Sequence, residues 1–359
     1  MHGNAIAALA QHPFQYTLYG LTLACSAPLE APGLCRTAGG EVDVLIDWAG
    51  STADARQAAV PPGPGSRLLV EATGGWVAVS DVVQREGDWT CLRFGYGAHH
   101  IQFAIAPGGA RVVVTWTPAV LPYHACTLLL SAVMNYLLHV QGRLALHASV
   151  VAWRDVAFGF AGVQGTGKST TVSALLQRGC ASVSDDVAAL TRQRGGWAVF
   201  PGLASVRLSS QVQAVLGIPA TAAAPLWQRS SHRAEQSFQS MADSYVVSFA
   251  ETQAALPAGT PLPLAGVFLL PPRADALASP CITALPATDA VPGLAEHLLT
   301  PAWLKPPVDQ ERFMTLVDLA RQIPVRTVAR PNTLTALPQL CDAVLGEMEC
   351  LWNAWERRP

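Results

Sequence analysis

The chain has 359 residues, of which 50% are hydrophobic and 13% are charged, with a formal net charge of −2. This length suffices for two domains, or for one large α/β domain with additions. A nearly neutral chain without a basic stripe excludes a dominant electrostatic attraction to nucleic acid. We therefore expect a small molecule, a peptide or a protein as the partner, and no nucleic acid.

The cysteines and the N-terminus indicate the compartment. Eight cysteines are scattered without a C-x-x-C pair or a matching histidine spacing, which predicts neither a zinc site nor a disulfide framework. The N-terminal residues lack a basic stretch followed by an apolar one, and no uninterrupted apolar run of about 18 residues occurs. These features predict a soluble, cytoplasmic protein that does not enter a membrane.

The first predicted region, residues 1–120, is rich in β-strands. Short apolar segments alternate with Gly, Pro and Asp turns, from a strand at Tyr16–Leu23 to one at Arg111–Trp116. We expect a separate antiparallel module that contains no catalytic residues. After it, apolar residues at helical spacing predict a bridging helix over 121–143, and a third region follows at 144–359.

The third region contains the most informative segment, Gly162–Ser169, which is a complete G-x-x-x-x-G-K-S phosphate-loop motif. The apolar run Val156–Phe160 precedes it, and helical spacing follows it as far as a plausible stop at Gly179. This order of strand, glycine loop and helix suits a phosphate cradle, because glycines let successive N–H groups turn inward and a helix N-terminus attracts anions. A chance match on a structural loop is the alternative.

The motif assigns ligand-binding roles to individual residues. In such a loop the lysine, Lys168, reaches the β- and γ-phosphates, and the serine, Ser169, ligates Mg²⁺. The predicted nucleotide-binding residues are Gly162, Gly165, Thr166, Gly167, Lys168, Ser169 and Thr170. The sequence thus predicts a nucleotide and Mg²⁺ as ligands.

Phosphoryl transfer also needs a metal ligand and a group that deprotonates the acceptor hydroxyl. Asp185 and Asp186 follow a short apolar strand and supply two carboxylates, although a turn or a helix cap is an alternative role. His147 lies on a predicted strand, Leu144–Trp153, just before the strand that enters the loop, and is a candidate for a proton-sensitive contact, while a hydrogen-bonded sheet histidine is the more ordinary interpretation. The candidate arginines for stabilising the transferred phosphate are Arg207, Arg229 and Arg233.

Four segments together resemble the HPr serine kinase/phosphorylase family. They are Leu146–Ser149, Gly162–Ser169, Arg178–Val187 and Pro201-Gly202. The chain is most similar to the shorter HPr-kinase-like proteins that accompany peptide-modification gene clusters, including those for lasso peptides, whose β-rich opening resembles Tyr16–Leu23. The resemblance implies an α/β fold in which a phosphate-loop domain of the HPr-kinase and PEP-carboxykinase type follows the β-rich N-terminal module.

The same resemblance implies ATP-dependent phosphorylation of a serine hydroxyl with Mg²⁺. By motif position, His147, Lys168 and Asp185 are the expected catalytic residues, with Asp185 as the base, and Asp186 joins Ser169 at the metal. Relatives with the kinase fold often assemble, so a homo-oligomer is an expected state.

Thr170 stands where HPr kinases have a glutamate, and their glycine-rich signature segment is not recognisable after Asp186, which favours an acceptor other than HPr. The best specific expectation is a serine at the C-terminal end of a ribosomally made, lasso-type precursor peptide. A kinase of a small metabolite, such as free serine or a nucleoside, and a non-catalytic ATP-binding scaffold are the alternatives.

Overall fold

The structure, a computed structural model, is a mixed α/β arrangement with several sheets. It describes residues 11–37, 39–51, 67–71, 78–84, 87–96, 99–118, 120–225, 245–253, 256, 259–300 and 310–358. The chain divides into two compact units. The first contains Met1–Gly142 and two short later segments, and the second contains Arg143–Ala224, Ser244–Thr300 and Pro306–Pro359. The predicted bridging helix therefore belongs to the first unit.

The first unit is built on an eight-stranded sheet within the described residues. The strands are β1 (Phe14–Leu18), β2 (Leu21–Cys25), β3 (Val44–Ser51), β4 (Arg67–Glu71), β5 (Ala78–Gln84), β6 (Gly87–Tyr96), β7 (His99–Ile105) and β8 (Arg111–Trp116). Their order across the sheet is β1-β2-β3-β8-β7-β6-β5-β4. The helical segments are a 3₁₀ turn (Pro107–Gly109), α1 (Pro122–Leu128), a π-helical turn (Leu129–Val133) and α2 (Met134–Val140).

This sheet corrects the expectation of an antiparallel module, because it is mixed. β2 and β3 run parallel, as do β3 and β8, whereas β1 with β2 and the successive pairs from β4 to β8 run antiparallel. The single strand predicted at Tyr16–Leu23 is also two strands. Tyr19 and Gly20 adopt φ angles of 56° and 75°, which turn the chain into the β1–β2 hairpin.

The second unit contains the phosphate-loop motif and a nine-stranded sheet within the described residues. Its strands are β9 (Leu144–Leu146), β10 (Ala148–Trp153), β11 (Val156–Ala161), β12 (Ala181–Ser184), β13 (Ala188–Gln193), β14 (Gly196–Val199), β18 (Leu262–Leu269), β19 (Cys281–Leu285) and β20 (Val325–Ala329). A smaller sheet includes β15 (Ser205–Leu208), β16 (Ala223–Pro225) and β17 (Tyr245–Ser248). The helices are α3 (Lys168–Leu176), α4 (Ser210–Val215), α5 (Ala250–Gln253), α6 (Ala287–Glu296), α7 (Gln310–Gln322) and α8 (Leu337–Glu356), with 3₁₀ turns at Ala220–Ala222 and Leu334–Ala336.

Three neighbouring strands of the large sheet run parallel, and their common direction indicates the edge of the sheet at which a ligand can bind. β11 pairs with β18, and β18 pairs with β20, in both cases in parallel. Parallel strands end at the same edge of a sheet, and ligands of α/β sheets bind outside that edge. The phosphate loop follows β11, Leu270 to Arg273 follow β18, and Arg330 follows β20. These three loops therefore meet.

Helices cover both faces of this sheet. Alternate residues of a strand point to opposite faces, so Phe158 and Phe160 of β11 pack with apolar residues of α3 and α8, while Ala157 and Ala161 pack with those of α6 and α7. The Phe160 ring stacks on that of Phe268 in β18, with the ring centroids 5.0 Å apart. Both faces of β11 are therefore buried, which explains its continuous apolar sequence. Among the described residues, no helix is long and apolar enough to cross a membrane.

Candidate functional site

The phosphate-loop motif connects the end of β11 to the start of α3, in the predicted order of strand, loop and helix. A Cβ atom added at Gly162 would lie 2.7 Å from both the carbonyl oxygen of Leu270 and Oγ1 of Thr166, so the space there excludes any side chain. Gly165 and Gly167 have φ angles of 83° and 96°, a region that glycine adopts readily and other residues rarely. The glycines of the motif therefore have specific conformational roles.

Internal hydrogen bonds hold the loop in shape. The Thr166 hydroxyl donates to the carbonyl of Val163 at 2.8 Å, and the Thr171 hydroxyl donates to that of Gly167 at 2.9 Å. Lys168 Nζ donates to the carbonyl of Gly162 at 2.6 Å. Burial lowers the pKa of Lys168, while Asp186 and Asp185 oppose this shift. The ammonium group thus interacts electrostatically with both aspartates.

Arg330 holds the phosphate loop in place through hydrogen bonds. The side chain is buried, and its guanidinium donates to the carbonyl oxygens of Pro271 at 3.0 Å, of Val328 at 3.1 Å and of Thr166. Burial, together with the charge of Arg273, lowers the pKa of Arg330 to about 10. One buried cation therefore links the segments that follow β11 and β18 to the end of β20.

Arg273 approaches the phosphate loop from the segment that follows β18. Its Nη2 atom would lie 2.8 Å from a Cβ atom built on Gly167, so the absence of a side chain at Gly167 allows this approach. The motif-based prediction missed both Arg273 and Arg330. A strand that runs parallel to β11, as β18 does, delivers the residues after its C-terminal end to the same edge, and this is how Arg273 reaches the loop.

The first aspartate of the predicted pair, Asp185, is buried. Ser149 Oγ donates to its Oδ1 atom at 2.5 Å, and the backbone N–H of Arg207 donates to Oδ2 at 3.3 Å. Burial raises the pKa of Asp185, and the charge of Asp186 raises it further, to about 6, against the opposing effects of Ser149 and Arg207. This carboxyl group therefore keeps its proton to a higher pH than an ordinary aspartate does.

The second aspartate, Asp186, has the opposite character. Its side chain is 35% exposed, Arg207 Nη1 lies 3.2 Å from Oδ2, and His147 Nε2 lies 3.7 Å from Oδ1. Burial alone would raise the pKa of Asp186, but the contact with His147 and the charges of Arg207, His147 and Lys168 outweigh it and lower the pKa to about 2. Asp186 is therefore ionised at any physiological pH, next to a carboxyl group that ionises far less readily.

His147 reaches Asp186 because the chain changes its sheet partners there. The single strand predicted from Leu144 to Trp153 is broken at His147: β9 pairs with β13, whereas β10 pairs with β11 and β12. The backbone N–H of His147 donates to the carbonyl of His297 at 2.6 Å. His297 is itself buried, and burial and the charge of Lys168 lower its pKa. Prediction from local sequence missed His297, because long-range folding brings the end of α6 here.

The structure thus brings His147, Lys168, Asp185, Asp186 and Arg207 into one cluster of interacting charges. The other two candidate arginines, Arg229 and Arg233, lie outside the described residues.

The proposed metal ligands are a hydroxyl and a carboxylate. Ser169 and Thr170 occupy the first turn of α3, with Ser169 partly exposed and Thr170 buried. Across the described ranges, no group of three or more His, Cys, Asp or Glu side chains could hold a metal ion. Mg²⁺ commonly binds through one or two carboxylates together with substrate phosphates and water. Ser169 and Asp186 fit that smaller protein contribution, and the glycine-shaped loop fits the phosphates.

Comparisons with known proteins reveal only distant similarity. No family model and no curated protein matches the sequence. Among solved structures, 32 chains match, including the Hpr(Ser) kinase/phosphatase from Coxiella burnetii. That structure is 11% identical to this chain, with a TM-score of 0.25, and the match covers 57% of this chain and 97% of that one. This chain is similar to that kinase/phosphatase only at the level of a distant structural neighbour.

Proposed function

We propose that this chain is a Mg·ATP-dependent kinase that transfers the γ-phosphate to a serine hydroxyl. The observation that carries the proposal is the position of Asp185: Ser149, which pairs with Phe160 where β11 enters the phosphate loop, donates a hydrogen bond to it, and the charge of Lys168 acts on both aspartates. This arrangement joins the phosphate loop to the acidic pair, so the group that holds the terminal phosphates and a candidate base belong to the same site. An ATP-binding loop without this acid pair would lack a group to activate the acceptor.

The loop residues act on the nucleotide. The backbone N–H groups of Gly165 to Ser169 and the N-terminus of α3 bind the phosphates, and the Lys168 ammonium exchanges its bond to the Gly162 carbonyl for the β- and γ-phosphates. Ser169 and Asp186 would hold Mg²⁺, which would supply positive charge to neutralise the phosphates. Asp186 suits this role because its low pKa keeps it anionic.

Asp185 acts on the acceptor. A general base works best when its pKa is near the working pH, and burial raises the pKa of Asp185 to about 6. The serine oxygen forms a bond to the γ-phosphorus while the bond to the β,γ-bridging oxygen breaks. ADP leaves with that electron pair, and the hydroxyl proton passes to Asp185. Ser149 and the Arg207 N–H hold the carboxyl group in position through this step.

The acceptor that we propose first is a serine near the C-terminal end of a ribosomally made, lasso-type precursor peptide. This choice is supported by the motif resemblance at Leu146–Ser149 and Arg178–Val187 and by Thr170, which replaces the glutamate of HPr kinases. Transfer to free serine or a nucleoside would identify a metabolite kinase instead. Tight ATP binding without transfer to any acceptor would identify a scaffold.

The test is transfer of labelled γ-phosphate from Mg·ATP to peptides that end in serine, compared with matched peptides that end in alanine, free serine and nucleosides. We expect Asp185→Asn to reduce transfer by about 10²- to 10⁴-fold while ATP binding persists. Asp342→Asn, which alters an aspartate that is 70% exposed, is the matched control and should keep parental activity. Near-parental transfer by Asp185→Asn would show that Asp185 is not the base.

A further inference from the structure

A pocket lies beside the phosphate loop and is separate from the acidic pair. It is open to solvent and is lined by Gly167, Thr170, Thr171, Arg273, Arg330, Pro331, Thr333, Leu334, Ala336, Leu337 and Leu340. The proposed transfer reaction leaves this pocket without a role.

The direction of the nucleotide follows from the two sides of the loop. Lys168 reaches the β- and γ-phosphates in loops of this type, and the acid pair lies beside the loop because Ser149, which pairs with Phe160 of β11, donates to Asp185, so the terminal phosphate faces the acid pair. The rest of the nucleotide must leave the loop on another side. The pocket shares Gly167, Thr170 and Thr171 with the loop and the first turn of α3, but none of its lining residues is Lys168 or an aspartate.

The lining of the pocket has the chemistry that a nucleoside requires. The 3₁₀ turn Leu334–Ala336 and the start of α8 form an apolar wall suited to the face of a heteroaromatic base, made of Leu334, Ala336, Leu337 and Leu340. Threonine hydroxyls on two sides offer partners for ribose oxygens. The arginines of the lining also suit a nucleotide, because guanidinium groups bind phosphate and stack on planar rings.

The two arginines of the pocket have different roles. The guanidinium of Arg330 already donates to three carbonyl groups and maintains the loop. That of Arg273 lies against Gly167, where the chain carries no side chain, and is placed at the border of the loop and the pocket. Arg273 is thus the cation that a ligand lying across this border would meet.

We infer that this pocket binds the nucleoside half of the nucleotide, with Arg273 at the junction between base and phosphates. The nucleotide then runs from the apolar wall of α8, across the N-terminus of α3, to Asp185. This inference rests on the proposed function and adds the position and orientation of the substrate. It also makes the wall formed by Leu334–Leu340 the determinant of affinity for the nucleoside.

The experiment compares Mg·ATP with Mg·tripolyphosphate, which has the phosphates but no nucleoside, by calorimetric titration of the full chain. Ala336→Phe fills the pocket with a larger side chain, and the matched control Gln339→Phe places the same side chain on an exposed position of α8 outside the lining. We expect Ala336→Phe to weaken ATP binding about tenfold or more and to leave the affinity for tripolyphosphate unchanged. The control should bind both like the parent chain.

Three results would overturn the inference: unchanged ATP affinity in Ala336→Phe, an equal loss for ATP and tripolyphosphate, or a parent chain that binds the two probes equally tightly. A parent chain that binds neither probe would overturn the proposed function as well, and so the two failures differ. Photolabelling of the parent chain with 8-azido-ATP requires no variant. Label in the segment 330–340 that excess ATP prevents supports the inference, and label confined to other segments contradicts it.

Discussion

Replacing Gly162 by alanine probes how rigidly the sheet edge shapes the phosphate loop. The added Cβ would lie 2.7 Å from the Leu270 carbonyl oxygen, which belongs to the backbone. Leu270 cannot easily retreat, because its N–H donates to the carbonyl of Ala161 at 2.7 Å. The second obstacle, Thr166 Oγ1, is held by its bond to the Val163 carbonyl. The clash is therefore with fixed atoms rather than with the end of a flexible side chain.

The size of the effect follows from comparison with a glycine in the strand that precedes the loop. Overpacking of a well-packed interior costs about 1–3 kcal/mol, and we expect this loss in the free energy of unfolding of Gly162→Ala. At Gly159, three positions earlier in β11, an added Cβ would lie 3.7 Å from Val267 Cγ2, an ordinary contact. Gly159→Ala should therefore change the free energy by about 0.5 kcal/mol or less.

Urea unfolding of the two variants and the parent chain, followed by intrinsic fluorescence, measures this difference. Because the Gly162 carbonyl also accepts from Lys168, Gly162→Ala should weaken Mg·ATP binding as well, whereas Gly159→Ala should not. If the two variants unfold at the same urea concentration, with equal slopes, the loop is more compliant than these distances indicate and the steric explanation for Gly162 is wrong.

Three further predictions concern the charged groups of the second unit. Ser149→Ala removes a hydrogen bond that lowers the pKa of Asp185. The acidic limb of the pH profile for transfer should therefore move from about pH 6 to higher pH. A limb that does not move would contradict the role of Asp185 as the base. Because the folded chain holds a proton on Asp185 up to pH about 6 while the unfolded chain releases it near pH 4, this group's contribution to stability declines as pH rises between these values. Asp185→Asn should thus gain stability relative to the parent by of the order of 2 kcal/mol from pH 4 to 6.5, and a constant difference in urea titrations would refute the pKa. Arg330→Gln leaves buried carbonyl groups without a donor and should lower the free energy of unfolding by about 2–4 kcal/mol in the same assay. Arg273→Gln should lower it by about 0.5 kcal/mol or less. Equal losses would contradict the bracing role of Arg330.

The parts of the site that sequence alone could predict are those with local signals. The glycine spacing, the apolar run before Gly162 and the helical pattern after it depend on neighbouring residues, and the structure has strand, loop and helix in that order. The C-terminal helix Leu337–Glu356 also has a local signal, because apolar residues recur at helical spacing along its length. Asp185 and Asp186 follow a short strand for the same local reason.

The remaining parts depend on which strands become neighbours. Arg273, Arg330 and His297 are far from the motif in sequence, and the parallel pairing of β11, β18 and β20 or the position of α6 brings them to it. The parallel pairs β2–β3 and β3–β8 of the first unit were equally inaccessible, since strand direction is not encoded in alternation of apolar residues. Local patterns predict the candidate residues, and long-range strand pairing determines which other side chains surround them.

The brace formed by Arg330 has a practical consequence for work with shortened chains. Its bond to the Thr166 carbonyl spans 164 positions, so a fragment that ends before β20 would contain every letter of the G-x-x-x-x-G-K-S signature without the guanidinium that secures it. Such a fragment would also lack α8, which covers one face of the sheet. The signature alone does not include the residues that hold its loop in place, and some of those residues lie within the last thirty or so positions of the chain.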